Sequence, residues 1–127
     1  MKHGVIAIFI LFTINCYGQC SIPQTTFADN IYFFSANLNW GSVTGVHHYK
    51  IRYKELGTTP LSYKNNIDSN LVSKVLNNLI SQTDYVWQIR SHCDTTNTDY
   101  SSWSSVDTFN TTTMLCPTPN GLNTSNI

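Results

Sequence analysis

Three stretches of this chain alternate residue by residue between large apolar and mostly polar side chains. Ala36, Leu38 and Trp40 alternate with Ser35, Asn37 and Asn39. Tyr49, Ile51 and Tyr53 alternate with Lys50, Arg52 and Lys54, and Tyr85, Trp87, Ile89 and Ser91 with Val86, Gln88, Arg90 and His92. A period of two places one set of side chains on each face of a strand, so each stretch reads as a strand buried on one side. Ser, Thr and Asn supply 43 of the 127 residues. These residues compete with a helical backbone for hydrogen bonds and favour short strands and turns. Gly41 through Gly45 make a turn, Gly57-Thr58-Thr59-Pro60 is a breaker, and Asp94 to Asp99 is a polar loop. Trp103 to Thr111 is expected to close the unit as a last strand, and Ile31 to Phe34 to lead into the first strong one. Short strands with turns between them, over about 95 residues, predict two antiparallel sheets packed face to face.

One segment resists this reading. Leu71, Val72, Val75, Leu76, Leu79 and Ile80 have helical spacing, with Asp68 or Ser69 available as an N-cap. Taken locally, it predicts a short helix.

The N-terminus reads as an address. Lys2 and His3 precede an apolar run from Val5 to Phe12, extended by Thr13 and Ile14. Ten residues are too few to span a bilayer, which takes about 20. A basic head, a short apolar run and small residues at Cys16 and Gly18 match a secretory signal peptide cleaved after Gly18, leaving Gln19 first. Neither Cys16 nor Cys20 follows the pattern of a lipidated cysteine well. The mature chain then carries no membrane span. It has six Lys+Arg against seven Asp+Glu, a balance that gives no electrostatic reason for nucleic-acid binding. Export also places it where disulfides persist.

A repeat is visible. Cys20, Pro23, Asn30 and Ile31 recur as Cys116, Pro119, Asn126 and Ile127, all at an offset of 96 residues. The chain therefore divides into a signal peptide (1–18), one full unit (19–113) and a linker with the start of a second, truncated repeat (114–127). Three cysteines remain after cleavage. If each repeat carries its own pair, Cys20 pairs with Cys93, and Cys116 awaits a partner in the following repeat. The tail from Met114 to Ile127 is then expected to be extended, with Cys116 unpaired.

Nothing in the sequence frames a catalytic site. Neighbouring His47 and His48 are expected on opposite faces of an extended chain, as ordinary surface residues. His92-Cys93 lacks the three or four ligands that a zinc site wants, and no Gly-x-Ser-x-Gly or phosphate-binding Gly-rich loop occurs. Asp94, Asp99 and Asp107 are weak calcium candidates in a loop of a kind that is usually solvated. No catalytic residue, metal ligand or cofactor is assigned.

The ordered set of motifs resembles a fibronectin type III domain, of the Cys-containing kind found in tandem in exported bacterial proteins. The likeness runs from about Cys20 to Thr113. Trp40 stands where the core Trp closes the second strand, and Tyr49-Lys50-Ile51-Arg52-Tyr53 looks like the third strand. Leu79, Thr83, Tyr85, Trp87 and Ile89 match the sixth-strand run, and Ser102-Trp103-Ser104 with Phe109 and Thr111 match the last strand and exit. Ser81-Gln82 replaces the usual Pro-Gly, and Asn78 a usual Gly; all three tolerate turns.

The resemblance implies an all-β, seven-stranded antiparallel Ig-like sandwich, in which Val72 to Leu76 is a strand and not a helix. It implies Trp40, Tyr85 and Trp87 in the core, with Tyr85 forming a tyrosine corner. It implies Cys20 and Cys93 at one pole, their Cα atoms about 4.4–6.8 Å apart. Lys50, Arg52, Lys54, Gln88 and Arg90 would then share an outer face as a candidate binding surface for an acidic glycan or protein. The implied function is a non-catalytic binding or spacer module of an exported or cell-surface multidomain protein, serving adhesion or domain presentation. The alternative is an accessory domain of a secreted peptidase or glycosidase whose catalytic part lies elsewhere.

Overall fold

The computed structural model describes Gly4 and residues 20–115. Apart from Gly4, the segment read as a signal peptide lies outside the described residues, as does the stretch from Cys116 onward read as the start of a repeat. Seven strands form: β1 (Phe27–Asp29), β2 (Ala36–Asn39), β3 (His48–Glu55), β4 (Ser62–Asp68), β5 (Ser73–Leu76), β6 (Asp84–His92) and β7 (Asp107–Asn110). They make a three-stranded sheet in the order β1-β2-β5 and a four-stranded sheet in the order β4-β3-β6-β7, with every pairing antiparallel. Among the described residues there is no helix.

The alternation sorts the faces as expected. Ala36, Leu38, Tyr49, Ile51, Trp87 and Ile89 are buried between the sheets, with Leu76, Leu79, Tyr85 and Phe109 closing the core. Trp40 packs edge-on against Tyr49 at 5.4 Å between ring centroids. Tyr85 stacks on Phe109 and accepts a hydrogen bond from the Ile80 backbone N–H at 2.9 Å. That is the tyrosine corner: a buried ring whose hydroxyl ties the preceding loop to the strand.

The segment with helical spacing is extended, because β5 completes the ladder of β2 through pairs such as Ala36 with Leu76 and Leu38 with Lys74. Leu76 and Leu79 go inward, while Leu71, Val72, Val75 and Ile80 stay exposed. Cross-strand hydrogen bonding and burial of two leucines outweigh a weak local preference.

Two expectations need correction, and one strand has no counterpart among them. Ile31 to Phe34 are a loop, and the strand that precedes β2 is the short β1. β4 has no clear signal in the sequence: of its seven residues only Ile67 is buried, since it is an edge strand. The last strand is confined to Asp107–Asn110 and does not begin at Trp103. From Ser101 to Ser104 the chain still runs beside β6, but serine hydroxyls take over part of the ladder. Ser101 Oγ accepts from the Ser91 N–H and Ser104 Oγ from the Ile89 N–H, both at 3.0 Å. The Ser101 and Ser104 N–H groups return to the Ser91 and Ile89 carbonyls at 2.9 and 2.8 Å. Both serines are buried, and the β6 backbone is satisfied without a regular strand.

Cys20 and Cys93 form a disulfide with Cα atoms 5.7 Å apart. It ties the segment before β1 to the end of β6, and so links the two sheets at one pole. At the other pole Met114 and Leu115 are exposed.

Candidate functional site

The outer face of the four-stranded sheet gathers the polar residues of β3 and β6. The register places Lys50 opposite Arg90, Arg52 opposite Gln88 and Lys54 opposite Val86. Lys50, Arg52, Lys54, Gln88 and Arg90 are all half-buried on that face. Their side chains are not equivalent. Arg52 donates from Nε and from one terminal nitrogen to Gln88 Oε1, at 2.9 and 2.7 Å. Gln88 in turn donates to the Ser104 carbonyl at 2.8 Å.

Trp103 lies between the two arginines. The Arg52 and Arg90 guanidinium carbons stand 4.3 and 4.5 Å from its ring centroid. Arg90 also stands 4.3 Å from the Tyr100 centroid, so its guanidinium is held between two rings. Lys50 Nζ lies 4.9 Å from the Tyr63 centroid on β4. Each such contact is worth about 0.5–2 kcal/mol, more where water is excluded. A stack of alternating cations and rings orders long side chains that a sheet face otherwise leaves free. Among the described residues none of Lys50, Arg52, Lys54 and Arg90 pairs with a carboxylate. Aromatic faces lie against Lys50, Arg52 and Arg90 instead. Lys54 lines a groove together with Arg52, Gln88, Leu61 and Val106.

At the disulfide pole the face ends in three histidines, and their placement differs from expectation. His47 precedes β3, and its Nδ1 lies 3.0 Å from Nδ1 of His48. His48 opens β3 opposite His92 and stacks on it at 4.6 Å between ring centroids. His48 Nε2 reaches Asn97 Oδ1 at 3.0 Å. His48 and His92 are both buried. The sequence hid this cluster because the partners are 44 residues apart and meet only through strand register.

His92 is 2% exposed. Arg90 Nε donates to its Nε2 at 3.2 Å, which assigns the ring proton to Nδ1, and that atom has no hydrogen-bond partner. Burial holds its pKa down at about 4, reinforced by Arg90, His48 and Lys50 and opposed by Asp94. The folded ring therefore refuses a proton that the unfolded chain accepts near pH 6.5. The linked stability is complete above pH 6.5 and is lost as pH falls to about 4, to a ceiling of about 3 kcal/mol. Urea unfolding midpoints at pH 7, 5.5 and 4.5 should fall steadily, and His92→Gln should remove most of that slope. Asp29 and Asp94 have lowered pKa values, so their contribution is lost at lower pH, outside this window.

The loop from Asp94 to Asp99 is organised around Asp94. Its carboxylate accepts from the hydroxyls of Thr98 and Thr96 and from the Asp99 N–H. The Thr98 hydroxyl is the largest influence holding its pKa at about 2. The Asp94 oxygens considered for calcium are thus used within the loop, and Asp107 stands apart on β7. Among the described residues no group of three or more His, Cys, Asp or Glu side chains is placed to hold a metal ion. No helix among them is long and apolar enough to cross a membrane.

No protein-family model matches the chain, and no curated protein matches it in sequence. Solved structures do match in fold. The fibronectin type III domain of human collagen alpha-1(XX) is 18% identical with a TM-score of 0.69, covering 80% of this chain and 94% of that one. A segment of two such domains from chicken tenascin is 19% identical with a TM-score of 0.64, covering 70% of this chain and 49% of that one. A structure described as a myokine gives a TM-score of 0.67 at 18% identity, covering 75% of this chain and 100% of that one. The fold is that of a fibronectin type III domain. At these identities the likeness speaks for the fold alone, and the function rests on this chain's own residues.

Proposed function

We propose that this domain is a non-catalytic binding module of an exported or cell-surface protein, presenting the outer face of its four-stranded sheet to a ligand. The observation that carries this reading is the ordered stack Arg52–Trp103–Arg90–Tyr100, with Gln88 locked to Arg52. Binding is tighter when the groups that make it are already held in place. Here cations, rings and amides are fixed on one surface before any ligand arrives. Aromatic residues and arginine are also the side chains enriched where binding energy concentrates. The disulfide supports an oxidising compartment, in keeping with the secretory reading of residues 1–18.

The test has two parts. The exported protein should begin at Gln19 by N-terminal sequencing and should carry an oxidised Cys20–Cys93 pair. The reading frame beyond codon 127 should encode further Cys-x-x-Pro repeats. A retained N-terminus refutes export, and a hydrolase motif downstream makes the domain an accessory to an enzyme.

A further inference from the structure

The upper half of this face contains a cleft of about 400 Å³, within the size range of small-ligand sites. Its walls come from three places. Lys50 and Arg90 stand opposite each other on β3 and β6. His48 and His92 form the end wall as a stacked pair. Asn65, Asn66 and Asn97 line the remaining sides.

Each wall is set by the backbone. The β3–β4 register slips between Tyr49 and Ile51, which pair with Ile67 and Lys64, so β4 carries one extra residue at Asn65-Asn66. A bulge of this kind re-aims side chains. Asn66 and Asn97 both have left-handed backbone, with φ of 51° and 57°, which asparagine tolerates better than most residues. Among the described residues Asn65 and Asn66 make no side-chain hydrogen bond, and both are exposed, so their amides are open to a ligand. Asn97 receives His48 Nε2 on its oxygen, which leaves its NH₂ as a donor. Arg90 is fixed between Trp103 and Tyr100 and by its bond to His92.

The chemistry of the lining selects the ligand. The seven lining residues comprise two fixed cations, two histidines and three amides, with no carboxylate and no aliphatic side chain. Carboxylates stand beside the cleft and not in it: Asp68, opposite His48 in the β3–β4 register, lines an adjoining depression that shares His48 and Asn66 with it, and Asp94 acts on His92 from the loop that carries Asn97. A protein partner draws most of its affinity from apolar and aromatic anchors in desolvated pockets, and this cleft offers an aliphatic anchor nothing to fill. A sugar ring bearing an oxyanion fits better. Lys50 and Arg90 meet the charge, amides meet hydroxyls, and the exposed Tyr63 and Tyr100 rings lie against the two cations.

We propose that this cleft binds an acidic glycan, with a carboxylate or sulfate between Lys50 and Arg90 and ring hydroxyls on Asn65, Asn66 and Asn97. The inference rests on reading the domain as a binding module. It narrows that reading to the Lys50–Arg90 end of the face, where Arg90 joins the Trp103 stack to the cleft.

The experiment is an NMR titration of the ¹⁵N-labelled protein with three tetrasaccharides: a uronic-acid type, a sulfated type and neutral chitotetraose. Saturable shifts are expected at the Lys50, Asn66, Arg90 and Asn97 amides with one or both acidic sugars, weakening as salt rises, and none with chitotetraose. Comparison of the two acidic sugars assigns the oxyanion. The double variant Lys50→Gln/Asn65→Ala, at two positions with no side-chain hydrogen bond among the described residues, should weaken binding at least tenfold at an unchanged unfolding midpoint. Lys54→Gln/Lys64→Gln should change it less than twofold. Absence of shifts with both acidic sugars, equal response to the neutral sugar, or equal losses in the two double variants would overturn the site. Saturable shifts on another face would also overturn it, while leaving the binding-module reading standing. Cleavage products in the sugar spectrum would refute the non-catalytic reading itself.

Discussion

Replacing Cys20 and Cys93 with serine will lower the unfolding free energy by about 4 kcal/mol. The two residues are 73 apart in sequence, and cross-linking ends so distant removes loop-closure entropy from the unfolded chain. The native cost is small, because the partners already meet at a Cα separation of 5.7 Å, inside the ordinary range of about 4.4–6.8 Å. The segment before β1 has other ties, since Gly41 N–H donates to the Gln24 carbonyl at 2.7 Å and Pro23 is fully buried. The reduced variant should therefore fold to the same structure with a lower midpoint. A domain of this size has about 5–15 kcal/mol of stability in all, so the change is large. Urea unfolding of the oxidised protein and the double-serine variant measures it directly. A difference under about 1 kcal/mol would mean that the unfolded chain already holds these ends together.

Trp40→Ala should destabilise the domain by about 3–5 kcal/mol. The indole is buried at the end of β2, packed on Tyr49. The Trp40 backbone N–H donates to the Val72 carbonyl at 3.0 Å, so the ring is placed where β2 and the chain entering β5 meet. Truncation leaves a cavity between two sheets whose separation is set by their other contacts, and such cavities collapse only in part. Trp40→Phe should cost less than half as much. It keeps most of the apolar volume and removes an indole N–H that is buried without a partner. Thermal or urea unfolding of the two variants separates volume from polarity. A phenylalanine variant as unstable as the alanine one would show that the indole N–H is satisfied after all.

The faces of β2, β3 and β6 were legible in the sequence, because burial on one side of a strand writes a period of two into the residues themselves. Tyr49, Ile51, Trp87 and Ile89 could be placed inward, and Lys50, Arg52, Gln88 and Arg90 outward, without coordinates. The cysteine pair is legible from repeat arithmetic, and its place at one pole from the family resemblance. Strand β5 was legible only through that resemblance, since its local spacing is helical and its extended form is imposed by the β2 ladder.

Only the tertiary structure decided what the outward side chains do. Trp103 reads as part of a final strand, yet Ser101 and Ser104 spend their hydroxyls on β6, and the ring between them lies across Arg52 and Arg90. His47 and His48 read as unrelated surface residues, yet their rings touch, and strand register brings His48 against His92. The bulge at Asn65-Asn66 exists only in the pairing of β4 with β3. Periodicity is a local property, set by the backbone geometry of each strand, so one sequence displays it. Stacks, bulges and clefts depend on the register between strands far apart in the chain, which is set by the packing of the whole sandwich.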